Sequence, residues 1–352
     1  MATIPYPPPV LTDAPAASTS KSDAVASAFS PVTNVFNRFS SWRASLGLTN
    51  AGSIEKLGQE TKMTIISNPL EGARADLSKI LSVDPAFQVT HSFQLASQTQ
   101  PASYYLSTVY ATNKFFMQGN VDNEGNVSMR CNNDWSQDNV SKVQGQFSST
   151  PGHSMLQLEH DYLGRDFSLN VKAVNPSPVD GSGMYIGSYL QSVTKNIALG
   201  VETLYQSLGP GMSDMSTSYL ARLAATDKSW IATAQVQPMG IIQATYWHKL
   251  SDKVDAAADL QLISAPQRRD AIATIGAKYD LRLSTLRAQI DSTGKVGMLL
   301  EQKIAPTFTF SVGGELDHFK NAAKIGVGVQ IESSSLTPEE MGMVPPPPGS
   351  VL

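Results

Sequence analysis

The stretch Lys324-Ile-Gly-Val-Gly-Val-Gln-Ile331 alternates without a break: Ile325, Val327, Val329 and Ile331 fall on one face, Lys324, Gly326, Gly328 and Gln330 on the other. A period of two marks a β-strand whose faces meet different surroundings. The same pattern recurs upstream. Phe167, Leu169, Val171 and Ala173 oppose Ser168, Asn170 and Lys172. Ile197, Leu199, Val201 and Tyr205 oppose Ala198, Gly200 and Glu202. Val254, Ala256, Ala258, Leu260 and Leu262 oppose Asp255, Ala257, Asp259 and Gln261. Turn-forming runs separate such segments, at Asp122–Asn126, Asp180–Gly183, Leu208–Gly211 and Asp291–Gly294.

From Gly72 to Glu332 there are about nineteen segments, or about 14 residues per strand and turn, which suits tilted membrane-spanning strands of about 9 to 11 residues. Strands of soluble sandwiches run to about 5 or 6 residues, and propellers repeat every 40 or so. The pattern therefore predicts an all-β membrane protein, a transmembrane barrel of about nineteen strands. A barrel that wide leaves an open lumen, and the polar faces line its water.

Composition agrees. Charged residues are only 16% of the 352, against a usual quarter, and hydrophobic residues only 41%. The formal charge of −4 argues against a nucleic-acid partner. Cys131, the single cysteine, excludes an intrachain disulfide and a multi-thiolate zinc site. His91, His153, His160, His248 and His318 show no ligand spacing, so the sequence predicts no catalytic, cofactor or metal residues. No run approaches the roughly 18 apolar residues of a membrane helix, and the N-terminus lacks a secretory pattern.

The expected organisation is a Pro/Ala/Ser-rich disordered tail over 1–30, two helices within 31–71, the barrel over 72–332, and a disordered tail over 333–352. In the first helix Ser30 caps, Pro31 opens, and Val35, Phe36, Phe39, Trp42 and Leu46 form the stripe up to Gly47. The second begins near Ser53, with Ile54, Leu57 and Ile65 as its apolar face. These helices either pack on a core or lie inside the pore. An odd strand count favours the pore, because such a chain enters and leaves on opposite sides unless it first passes back through the lumen.

Several stretches resemble the channel-forming subunit of the translocase of the outer mitochondrial membrane, a group within the mitochondrial porins. They are Gly72–Leu77, Pro85–His91, Gln118–Gly125, Leu190–Thr194, Ile275–Asp280, Arg287–Ser292, Glu315–Asn321 and Lys324–Val329. The likeness runs from about Phe36 to Glu332, with a loop at 262–271 that looks short. The resemblance implies a nineteen-stranded barrel with an internal helix and both termini on the intermembrane side. It also implies small single-span subunits, a receptor subunit, phospholipid on the wall, two or more pores per complex, and unfolded precursors as cargo. A voltage-dependent anion channel of the same fold is the alternative, set apart by a shorter leader and a basic lumen.

A pore for basic presequences needs weak, distributed attraction rather than a nucleophile. Strand parity places Asp76, Glu301 and Glu332 on the lumen face near the closing seam, a site the resemblance supports. Glu159, Asp161, Glu202 and Asp259 are further lumen candidates, and Asp122 and Glu124 would form an acidic mouth. Taken singly, each of these carboxylates also reads as the partner of a lumen arginine or lysine that only keeps the wall wet. Lys324, Gly326, Val329 and Ile331 fit the C-terminal insertion signal of mitochondrial barrels. Trp230, Tyr189 and Lys303 are candidates for lipid or subunit contact.

Overall fold

The structure is a computed structural model that describes residues 47, 48, 50–97, 101–150, 152–177, 181–209, 211–238, 240–265, 268–305 and 307–334. Residues 1–46, with the N-terminal tail and the first expected helix up to Leu46, and residues 335–352 lie outside these residues, while Ser333 and Ser334, expected to open the C-terminal tail, instead end the last strand.

Nineteen strands form one sheet. They are β1 (Gly72–Val83), β2 (Ala86–Gln94), β3 (Ser103–Ala111), β4 (Phe115–Asp122), β5 (Val127–Ser136) and β6 (Asn139–Phe147). Next come β7 (Met155–Leu163), β8 (Phe167–Val174), β9 (Gly183–Ser192), β10 (Ile197–Gly209), β11 (Met212–Ala224) and β12 (Trp230–Val236). The rest are β13 (Ile241–Ser251), β14 (Val254–Ala265), β15 (Arg268–Asp280), β16 (Ser284–Asp291), β17 (Lys295–Ala305), β18 (Phe308–Asp317) and β19 (Ala322–Ser334). Consecutive strands pair antiparallel, so each needs only a short connection. The closure differs: β1 and β19 pair in parallel, from Gly72↔Gly326 to Ile80↔Ser334. An odd number of up-and-down strands can close no other way. Closure leaves no unpaired sheet edge, which hydrocarbon demands.

The start of β1 and the hairpins after even-numbered strands make one rim, called here the start rim. The end of β19 and the hairpins after odd-numbered strands make the exit rim. Alternation sorts the side chains as expected. On β1, Leu77, Leu81 and Val83 stand exposed on the outer wall while Ser78 is buried inside. The outer wall carries Leu158, Val171, Leu199, Ile275, Val327 and many similar side chains in the open, a surface stable only against lipid.

Before β1 the chain runs inside the barrel. Asn50 Nδ2 donates to the carbonyls of Gly164 (2.6 Å) and Phe167 (2.9 Å), at the β7–β8 hairpin on the exit rim. Farther on, the Ile66 N–H donates to Gln289 Oε1 on β16 (2.7 Å). By Leu70 the backbone has reached Gly326, at the start rim. The chain thus passes back through the lumen, and Asn50 lies at the same rim as the end of β19.

The helix expected from Ser53 is broken in two: a 3-10 turn at Ile54–Lys56, then α1 (Gln59–Thr64). Gly58 between them has φ −111° and ψ 23°, and the Ser53 side chain caps nothing. Glycine costs a helix about 1 kcal/mol relative to alanine, so this is where the run yields. Leu57 packs on Leu190, Ala198 and Leu220, with Ala51 and Ile54 against the same cluster. The inward face of β9–β11 is therefore apolar where the segment lies on it. The expected short loop at 262–271 is mostly strand, since Leu262↔Ala271 through Ala265↔Arg268 are paired.

Candidate functional site

The luminal segment is fixed to the wall by charge. Glu55 binds Lys142 (2.9 Å) and Lys172, and Lys142 also reaches Glu159 (3.0 Å) and Asp161 (2.6 Å). Asn170 Nδ2 donates to both Glu159 and Asp161. A second anchor joins Glu60 to Arg222 at 3.3 Å. Buried carboxylates persist only when paired and hydrogen-bonded, and these are. Glu159 and Asp161 are 7% and 6% exposed, so they hold the segment rather than face open water.

Glu202 and Asp259 line a cavity of about 300 Å³ between the segment and the wall, together with Lys62, Thr233 and Thr245. Ser188 Oγ donates to Glu202 (3.3 Å) and Gln243 Nε2 to Asp259 (3.5 Å). Both carboxylates lie behind the segment.

The segment's side-chain anchors go to β6–β8, β11 and β16, and its helical turns pack on β9 and β13–β15. Among the described residues, the wall from β17 through the seam to β5 carries no luminal segment except a strap at the start rim: Leu70 lies over Gly326, and Glu71 pairs with Lys324 at 3.0 Å. On this wall Glu301, Ser311, Gly328 and Arg74 lie in one register row, next to the row of Asp76 and Gln330. Arg74, Asp76 and Glu301 line one cavity of about 230 Å³. Arg74 sits 2.9 Å from Asp76, and Arg287 3.8 Å from Glu301. Glu332 pairs in register with Ser78 toward the exit rim, and among the described residues no base is placed against it. At the start rim, Asp122 caps the Asn123 N–H (2.6 Å) and Glu124 is exposed in the same turn. Acidic groups thus run from rim to rim along the open wall.

Lys303 is not on the outer wall. It shares parity with Glu301 and pairs with Thr309, which lines the same lumen cavity as Glu301, whereas a lipid or subunit contact was expected there. Tyr189 does face outward, near Tyr162 and Phe167, and Trp230 stacks on Tyr246 with ring centroids 6.3 Å apart. Both clusters border the exit rim, as expected of an interfacial aromatic belt. Of the C-terminal pattern, Lys324 and Gly326 face the lumen, and Val329 and Ile331 have the parity of the exposed Ile325 and Val327.

A closed nineteen-strand wall with a chain threaded through it from rim to rim limits the candidates sharply. The profile of the eukaryotic porin family matches residues 50–326, nearly the whole barrel. The chain belongs to that family. Among eukaryotic porins it is similar to the Mitochondrial import receptor subunit tom40 of Neurospora crassa, 40% identical over 325 residues that cover 89% of this chain and 91% of that protein. Its likeness to the TOM40 of Saccharomyces cerevisiae is 39% over 324 residues, covering 86% and 83%. The homologue of Homo sapiens is 28% identical over 295 residues, covering 81% and 79%. The chain therefore belongs to the Tom40 family within the porins.

Proposed function

We propose that this eukaryotic porin is the protein-conducting channel of the mitochondrial outer membrane, passing unfolded precursors, and that it works within a complex of translocase subunits. The observation that carries the reading is the division of the lumen. Among the described residues, one side is covered by a segment bolted down through Glu55 and Glu60, while the other keeps a wet wall dotted with Asp122, Glu124, Asp76, Glu301 and Glu332. A basic, unfolded chain would meet weak sites in series, none deep enough to trap it. The relatives are import receptor subunits, which weighs against a metabolite pore.

Because arginines already offset Asp76 and Glu301, Glu332 should contribute most per residue. The test is the triple variant Asp76→Asn, Glu301→Gln, Glu332→Gln in lipid bilayers. We expect lower cation selectivity and weaker presequence binding, with the difference from wild type shrinking as salt shortens the Debye length below about 8 Å. Wild-type selectivity and binding at low salt would remove these residues from the path.

A further inference from the structure

Closure removes sheet edges only as far as neighbouring strands reach the same height, and at one place on the start rim they do not. There β10 and β11 rise together to the hairpin at Gly209↔Met212, but β12 pairs with β11 only from Tyr219↔Val236 toward the exit rim. A tight turn over 237–240, closed by the Gln237 N–H on the Ile241 carbonyl (2.8 Å), leads straight into β13. Residues 212–218 therefore have β10 on one side and, among the described residues, no strand on the other. Seven residues at about 3.4 Å each make an open edge of about 24 Å.

The tip of this edge stands in water. Met212, Ser213, Asp214 and Met215 are exposed on both faces of the strand, so packing covers neither. Hydrocarbon would exclude the Asp214 carboxylate, which sets this end at the aqueous mouth. The Met215 N–H turns back to Asp214 Oδ1 at 2.9 Å, a local bond of the kind the backbone makes where a neighbouring strand is missing. Folded proteins usually blunt a long edge with lysine or proline, and residues 212–218 contain neither. A second overhang at this rim, residues 268–272 of β15 beyond Thr274↔Asp291, carries Arg268 and Arg269 instead.

We infer that residues 212–218 are a docking edge for the backbone of an unfolded, basic polypeptide, which adds to β11 as an extra strand at the mouth of the pore. This deepens the channel reading and rests on it, with the start rim as the side from which cargo arrives. The occupant comes from outside the chain, because both ends of the described chain lie at the exit rim, Asn50 beside the β7–β8 hairpin and Ser334 at the end of β19. Backbone pairing is indifferent to sequence, which suits a channel that accepts many chains. It also discriminates, since a folded protein has no free backbone to offer. Asp214 attracts a basic chain to this edge, whereas Arg268 and Arg269 repel it from the other. Met212 and Met215 are flexible enough to adapt to whatever side chains arrive beside them.

The test uses the full chain in lipid nanodiscs and a short basic peptide with a central photoreactive residue, compared with the same peptide N-methylated along its backbone. Methylation keeps the side chains and their charge but removes the N–H donors, and the barrel itself is left unaltered. The expected result is an adduct that maps to residues 212–218 and falls at least about fivefold on methylation, the worth of about one backbone hydrogen bond. Adducts on the open lumen wall, around Ser311 and Gly328, should keep their yield. Equal labelling of the edge by both peptides would mean capture by side chains and overturns the inference, as does an adduct confined to other parts of the rim or lumen. If neither peptide labels the lumen wall at all, the channel reading falls and this edge with it.

Discussion

A Cβ built on Gly326 would lie 2.5 Å from the carbonyl of Leu70 and 2.7 Å from the Glu71 nitrogen, closer than folded chains permit. Any side chain here must displace the backbone that straps the seam, so slow assembly of a Gly326 variant has two possible causes. A peptide of residues 308–334 separates them, because it has no strap. If Gly326 belongs to the insertion signal, the wild-type peptide should compete with barrel insertion and the Gly326→Ala peptide should not. Equal competition by the two peptides assigns the glycine to the strap. On the other face, Val329→Arg should cost about 2 to 4 kcal/mol near the bilayer midplane, read from the denaturant midpoint of the lipid-embedded barrel. The inward set at the seam was legible in the sequence because a period of two admits only two assignments, and Ser78 and Leu77 fix which is which. Parity would have put Lys303 inside as well; reading it as a lipid contact set that parity aside.

At the scale of elements, the luminal segment should be releasable by charge. Glu55→Gln with Glu60→Gln removes its side of both anchors, leaving Lys142 on Glu159 and Asp161 but freeing Arg222. Single-channel recordings should show larger or noisier conductance, with the barrel's strand content unchanged; a quiet, wild-type trace would mean that packing alone holds the segment. Leu57→Ala tests that packing and should weaken docking by about 2 to 4 kcal/mol, seen as increased protease cleavage between Ser53 and Asn68. The apolar face Ile54, Leu57 and Ile65 was visible in the sequence. Its seat was visible too, as a loss of polarity on the inward sides of β9 to β11 at Leu190, Ala198 and Leu220, but alternation alone reads those positions as ordinary lumen wall. Gly58 marked the break locally, whereas the hold of Gln289 on Ile66, 223 residues apart, is encoded by no local pattern.

For the whole molecule, the purified chain should need detergent and give a circular dichroism spectrum dominated by β-structure with a small helical part. A mainly helical spectrum in plain buffer would contradict the barrel. The strand number was legible because each hairpin announces itself locally, while the closing pair is the most distant in sequence and shows only through the count. That closing pair is parallel, slightly weaker per residue than its neighbours, and has no hairpin to hold it. Yet the residues just before β1 are the ones that cross it, Leu70 over Gly326 and Gly328 and Glu71 on Lys324. The segment that narrows the pore and the clasp that shuts the wall are one continuous piece of chain. A pull on that segment, whether from crowding in the lumen or from traffic dragging past it, is carried straight to the seam as mechanical load.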